Sequence, residues 1–340
     1  MAEGGTMVQA STASAPILEV AQLKVHFPIL KGIFRRKVGH VYAVDGVSFS
    51  VGPGETLGLV GESGCGKTTV ARAVMRLEQS TAGEVRINGH DILPMGKAEL
   101  RPYRREAQII FQDPFSSLNP RMTAGDIVGE PLFVHKMGNK KERLDEVASL
   151  FDRVGLRPSQ MNSLPHQFSG GQRQRIGVAR ALALGPKLII GDEPVSALDV
   201  SIQAQIINLL MDLQEKTNIS FLFIAHDLAV VRHISHRVAV MYLGRIVEHT
   251  DKKTLFTDPL HPYTEALLSA VPIPNPTLRR KKLVLQGDVP SPIKPPPGCH
   301  FHTRCPYVMD QCKVECPPLV EVKSGHWAAC HLRQPEAQAT

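Results

Sequence analysis

The run Gly61, Glu62, Ser63, Gly64, Cys65, Gly66, Lys67, Thr68 constrains the fold of this chain more than any other stretch. It satisfies G-x-x-x-x-G-K-[ST], a pattern that acts only between a strand and a helix. Both are predicted. Thr56–Val60 is a short apolar run that fits a buried strand, and Thr69–Leu77 sets Val70, Ala73, Val74 and Leu77 at helical spacing. Glycines let successive backbone N–H groups turn toward one point. The helix N-terminus adds positive potential there, so the junction suits phosphate oxygens. Lys67 can reach the outer phosphates, and the Thr68 hydroxyl can ligate Mg2+. Cys65 reads as a small filler of the loop, not as a nucleophile.

Two further apolar runs extend the α/β reading. Lys187–Gly191 leads into Asp192 and Glu193. A parallel strand that ends there delivers Asp192 to the carboxyl edge of the sheet, beside the phosphate loop. Asp192 can then hold the Mg2+ shell, and Glu193 can polarise a water toward the terminal phosphate. Ile219–Ala225, the best apolar run at seven residues, fits another buried strand and is followed by His226. A membrane-crossing helix needs roughly 18 apolar residues, so none is expected. The net charge of +7 over 340 residues is modest, and the basic clusters Lys31–Lys37, Arg101–Arg105 and Arg279–Lys282 are short. With no aromatic residues interleaved in a binding pattern they read as solvated faces, and no nucleic-acid partner is expected. Residues 1–15 lack the basic start and apolar core of a secretory signal and read as a disordered tail, with Met7 a second candidate start.

Phe168 and Ser169 precede Gly170, Gly171 and Gln172 and then a helical run, which makes a second anion cradle. One nucleotide site does not need two, so the second is expected to face the nucleotide of another subunit. At this point the chain resembles the ATP-binding subunits of ABC transporters. Their signature usually has Leu where this chain has Phe168. The other family motifs follow in order: Gln112 resembles the Q-loop, Ser196–Asp199 the D-loop, and His226 the switch histidine. The resemblance implies ATP on Gly61–Thr69, with Glu62, Ser63, Gly64, Cys65, Gly66, Lys67, Thr68 and Thr69 around the phosphates. It implies catalytic roles for Glu193, His226 and Gln112, and Mg2+ at Thr68, Gln112 and Asp192. Ser169, Gly170, Gly171, Gln172 and Asp199 would act across a dimer. Adenine would stack on an aromatic after the first strand, Leu18–His26. Phe27 is the candidate and Tyr42, beyond an insertion of about fourteen residues, its rival.

The expected fold is therefore an α/β P-loop ABC ATPase over residues 16–250. It has a mainly parallel sheet, an antiparallel β edge and a helical subdomain at about 115–168. In that subdomain Lys141–Leu156 sets Leu144, Val147, Phe151 and Val154 on one face. Ser201–Lys216 gives a further amphipathic helix, with Ile202, Ile206, Leu209, Leu210 and Leu213 turned to the sheet.

Residues 251–340 differ in composition. They hold fourteen of the 26 prolines, and five of the six cysteines lie between Cys299 and Cys330. His261, Pro262 and Tyr263, the stretch 287–298 and Cys299–Cys305 are similar to the C-terminal extension of dipeptide and oligopeptide importer ATPases. That likeness implies import of dipeptides or oligopeptides, with a second homologous ATPase, two permease subunits and an extracytoplasmic peptide-binding protein as partners. It implies a peripheral place on the cytoplasmic face of the bacterial plasma (inner) membrane. A soluble ABC ATPase acting on ribosomes or nucleic acid is the alternative. Such chains usually fuse two units or insert long coiled coils, and this one has neither. An exporter ATPase would lack the His-Pro-Tyr tail. For the cysteines, thiolates at irregular spacing suit an iron–sulfur cluster, and Cys312-x3-Cys316 keeps zinc open. The family likeness implies a [4Fe–4S] cluster on Cys299, Cys305, Cys312 and Cys330, with Cys316 spare. Because the motifs end at His226, nucleotide binding is expected to survive loss of the cluster. Because residues 287–330 hold few core apolar side chains and many prolines, loss of the cluster is expected to loosen the tail.

Overall fold

The computed structural model describes residues 15–34, 36–113, 117–270, 285 and 287–333. Most of the leading tail, the first residues of the helical subdomain and the cluster Arg279–Lys282 lie outside them.

The chain opens with two long antiparallel strands, β1 (Leu18–Lys31) and β2 (Arg36–Val51), then β3 (Thr56–Val60), the phosphate-loop turn and α1 (Lys67–Val74). Next come β4 (Ala82–Ile87), β5 (His90–Asp91), α2 (Lys97–Glu106) and β6 (Ala107–Ile110). The helical part holds α3 (Ala124–Val134), α4 (Lys140–Arg153) and α5 (Gly170–Leu182). The sheet resumes with β7 (Leu188–Asp192), α6 (Val200–Thr217), β8 (Ser220–Ala225), α7 (Leu228–Ile234), β9 (Arg237–Tyr242) and β10 (Arg245–Asp251). The extension contributes α8 (Lys252–Thr257), α9 (Pro262–Ala270), α10 (Asp310–Val314), β11 (Val320–Lys323) and β12 (His326–Ala328).

Two sheets result, in the orders β2-β1-β4-β5 and β11-β12-β10-β9-β3-β8-β7-β6. In the larger one β6, β7, β8, β3 and β9 run parallel. β8 shows why these strands read as unbroken apolar runs. Its six residues are all buried, Phe221 and Phe223 in one core and Leu222 and Ile224 in the other. A parallel sheet covered on both faces needs apolar side chains on both. The carboxyl ends of β3, β7 and β8 therefore meet at one edge, where Gly61, Asp192 and His226 emerge.

Three expectations are corrected here. The segment after Phe27 is not a loop insertion: β1 and β2 stay paired out to Lys31 and Arg36. Leu77 and Leu144 do not join the core, because α1 ends before Leu77 and Leu144 lies on the outer face of α4; both are about half exposed. Leu150 takes a core place in α4. Most important, the extension has attachments of its own besides any cluster. β12 pairs with β10 (Glu248 opposite Ala328, His249 opposite Trp327), so it prolongs the main sheet. Tyr263 and Phe301 are buried in the same core as the helical part. Burying a side chain of that size contributes about 1.5–3 kcal/mol.

Candidate functional site

The residues of the phosphate loop border an open pocket of about 470 Å³. Ser63, Gly64, Gly66, Lys67, Thr68 and Thr69 form one wall. The turn is tight at Gly66, whose φ is +107° and whose site for a Cβ lies 2.1 Å from the Ala43 carbonyl oxygen. Only glycine meets both conditions. Lys67 is 4% exposed and its ammonium donates to the carbonyls of Gly61 (2.8 Å) and Glu62 (3.0 Å). Cys65 is buried behind the loop, and burial pushes its thiol up. That suits a filler, since the thiolate is the nucleophilic form.

The carboxylates stand opposite. Thr68 Oγ1 donates to Asp192 Oδ1 at 2.9 Å. Burial raises the Asp192 pKa, and the Thr68 hydrogen bond works against that rise. A hydroxyl and a half-desolvated carboxylate held side by side are hard oxygen donors and fit Mg2+, which would offset the desolvation of Asp192. Glu193 has φ +47°, in the left-handed region that non-glycine residues rarely occupy. It is kept there by its N–H on the Ile224 carbonyl (3.0 Å). Such strain costs about 1–3 kcal/mol and gathers at functional positions. Its Oε2 accepts from Gln112 Nε2 (3.2 Å) and meets His226 Nδ1 (3.0 Å). Three motifs far apart in the chain thus close on one carboxylate oxygen, and all three residues line the pocket. A carboxylate steered from both sides can orient and deprotonate a water.

At the other end of the pocket lie Val41 and Ala43 of β2. Phe27 pairs opposite Val41, and residues directly opposed in an antiparallel pair share a face. Phe27 therefore shares a face with Val41, although it does not itself line the pocket. Tyr42 points the other way and packs on His26, ring centroids 4.7 Å apart. Pro292, which no motif flagged, also lines the pocket, and its carbonyl accepts the Tyr42 N–H at 3.0 Å. Nothing in a proline-rich stretch could have placed it there.

The second cradle is elsewhere. Ser169 caps α5: its Oγ accepts the Gln172 N–H (3.3 Å), and Gln172 Oε1 accepts the Ser169 N–H (2.9 Å). Gly171 lies against Ile202, whose Cγ2 is 2.5 Å from where a Cβ would sit. Neither Ser169, Gly170, Gly171 and Gln172 nor Asp199 lines the phosphate pocket.

Cys299, Cys305, Cys312 and Cys330 all border one small cavity of about 20 Å³. Burial pushes Cys299 up to about 12 and Cys330 up to about 11, and it raises Cys305. Cys316 is exposed on a different groove, where Arg245 Nη1 lies 3.1 Å from its sulfur. The four thiols share a cavity but are not drawn to ligating distance. Among the described residues no group of three or more His, Cys, Asp or Glu side chains is placed to hold a metal ion. Nor is any helix among them long and apolar enough to cross a membrane. As a donor set the four thiols fit a thiophilic metal or cluster, whose charge would be needed to hold them deprotonated.

Residues 44–196 match the family model "ABC transporter", and residues 247–312 match "Oligopeptide/dipeptide transporter, C-terminal region". The oligopeptide transport ATP-binding protein AppF of Bacillus subtilis is 56% identical over 93% of this chain and 97% of its own length. The probable peptide ABC transporter ATP-binding protein y4tS of Sinorhizobium fredii is 55% identical over 96% of this chain and 92% of its own. Among solved structures, the dimeric ATP-binding cassette MJ0796 with ADP and Pi superposes with a TM-score of 0.62 at 28% identity, covering 69% of this chain and 98% of that one. The second family model begins within β10 and covers the start of the extension. A phosphate loop facing Asp192 and Glu193, completed by this extension, places the chain in the family of ABC transporter ATP-binding proteins that carry the oligopeptide/dipeptide transporter C-terminal region.

Proposed function

We propose that this chain is the ATP-hydrolysing subunit that powers import of dipeptides or oligopeptides through a membrane permease. The convergence of Gln112 and His226 on Glu193, across from Lys67 and Thr68, carries the hydrolytic half of the reading. Glu193 takes the proton of the attacking water, and Gln112 and His226 hold its carboxylate in line. Lys67 faces the phosphates. Thr68, Asp192 and Gln112 hold Mg2+, which would neutralise phosphate charge. Phe27 stacks on adenine. The peptide half rests on the similarity to the two named relatives and on the matched C-terminal region.

The chain works as a heterodimer with a related ATPase. Ser169, Gly170, Gly171, Gln172 and Asp199 face the partner's nucleotide, which is supported by their absence from this chain's own pocket. The assembly includes two permeases and, through them, an extracytoplasmic peptide-binding protein, with this subunit peripheral on the cytoplasmic face. Cys299, Cys305, Cys312 and Cys330 hold a [4Fe–4S] cluster, supported by their shared cavity and by Cys316 lying apart; zinc is the alternative metal.

Purification of the whole complex tests these points together. Copurifying permeases and peptide-dependent uptake that fails in Glu193→Gln are the expected results. Ribosomes or nucleic acid in their place would reject the transport reading. Anaerobically prepared protein is expected to be brown, with about four irons per chain and acid-labile sulfide. A colourless, zinc-replete protein would reject the cluster.

A further inference from the structure

Glu62, the second residue of the phosphate loop, is held at three points. Its backbone N–H donates to Tyr263 Oη at 2.8 Å, and its carbonyl accepts from Lys67 Nζ at 3.0 Å. Its carboxylate takes both arms of the Arg304 fork, at 2.8 and 3.2 Å. Two of these holds come from beyond residue 250. Tyr263 lies in α9, and Arg304 in the turn between Cys299 and Cys305.

Neither hold is a surface contact. The Arg304 side chain is 8% exposed and Tyr263 is fully buried. The Tyr263 ring packs on Tyr242 and Phe301 with centroids 4.7 and 5.5 Å away. Glu62 itself is 27% exposed, so the pair is partly buried, and a bidentate fork in that setting fixes geometry in a way that a fully exposed ion pair does not. Glu62 does not line the nucleotide pocket, whereas Ser63, Gly64 and Gly66–Thr69 do. Its N–H is used on the side away from the pocket, so the loop is gripped from behind.

We infer that Arg304 and Tyr263 are positioning residues for ATP binding. Through Glu62 they fix the backbone of the phosphate loop and, through the Glu62 carbonyl, the resting place of Lys67. The extension is then part of the nucleotide site, although no atom of Arg304 or Tyr263 borders the pocket. The inference rests on reading this loop as the ATP site.

The test is titration of the full chain with a non-hydrolysable ATP analogue, and steady-state hydrolysis in the purified transporter. Arg304→Met keeps the stem and removes the fork; it is expected to weaken analogue binding ~10-fold, the scale of one charge-assisted hydrogen bond. Tyr263→Phe removes a single oxygen from an otherwise intact core and is expected to weaken binding about threefold, a lost neutral hydrogen bond. In both, KM should rise with kcat nearly unchanged, because the loop is displaced in ground state and transition state alike. Arg304→Lys should recover part of the loss. Glu62→Gln should match Arg304→Met, and the double variant should be no worse than either, since both changes break one link. Wild-type affinity in folded Arg304→Met and Tyr263→Phe would overturn the inference, as would fully additive losses in the double variant. If the unaltered chain fails to bind the analogue, the fault lies in the ATP-site reading beneath it.

Discussion

The phosphate loop and the cysteine-bearing turn are both short loops, packed on different cores (Cys65 in one, Phe301 in the other), and they are opposite kinds of site. The first is finished before anything binds. Gly66 is forced by contact with the Ala43 carbonyl, Lys67 is already bonded, and Asp192 is already set by Thr68. Its pocket is open, about 470 Å³. The second is closed around about 20 Å³, and burial pushes up the thiols of Cys299, Cys305 and Cys330. An anion site can be preorganised from backbone N–H groups, which cost little to leave facing water. A thiolate site cannot, because four buried like charges are unstable until a cation joins them. A functional centre can thus be legible in apo geometry or only in its donor set.

The sharpest way to break the first half of this comparison is Glu193→Gln. ATP binding should persist, while turnover at this chain's site falls at least ~10²-fold, the scale of a lost general base. Normal hydrolysis at that site in the assembled transporter would reject the assignment. Lys67→Ala should differ in kind, weakening nucleotide binding by at least ~10-fold through loss of an ionic phosphate contact. Ser169→Arg should leave that binding nearly intact and block closure of the dimer, read as lost ATP-dependent association. Loss of this chain's own nucleotide would show instead that the two cradles serve one site.

The second half is sharpened at the cysteines. Cys312→Ser should abolish colour and iron in anaerobic protein, and Cys316→Ser should not, because Cys316 lies with Arg245 outside the shared cavity. The reverse pattern would change the ligand set. Either outcome bears on nucleotide affinity too, since Arg304 lies one residue before Cys305.

The smallest effect concerns the seam between the two regions. His249 of β10 stacks on Trp327 of β12, centroids 5.8 Å apart, and burial, aided by Arg237, lowers its pKa to about 4. A histidine depressed from 6.5 binds its proton more readily when unfolded. It therefore contributes stability at pH above 6.5 that is lost as pH falls toward 4, by at most about 1.4 kcal/mol per pH unit. Thermal melts between pH 7 and pH 4.5 should show this decline, and His249→Gln should reduce it without abolishing it, because buried His261 is lowered to about 4 as well.

The sequence by itself determined the cassette. Periodicity and glycine spacing located β3, β7 and β8, and the Gly61–Thr68 loop, Asp192–Glu193 and His226 follow directly from strand ends at one sheet edge. These signals are local, so the chain order preserves them. Which face Phe27 takes was not local. It depended on the pairing with Val41, and a one-residue slip would have favoured Tyr42. The extension was the least legible part. Its prolines and few core apolar side chains suggested a tail that loosens when its cluster is lost, with nucleotide binding surviving. Only the tertiary structure joined β12 to β10, placed Pro292 at the pocket and set Tyr263 and Arg304 behind Glu62. The two contacts to Glu62 link residues 201 and 242 positions apart. A single turn of chain carries no periodic signal for such a partner, which is decided by which buried polar group lacks one until the fold closes.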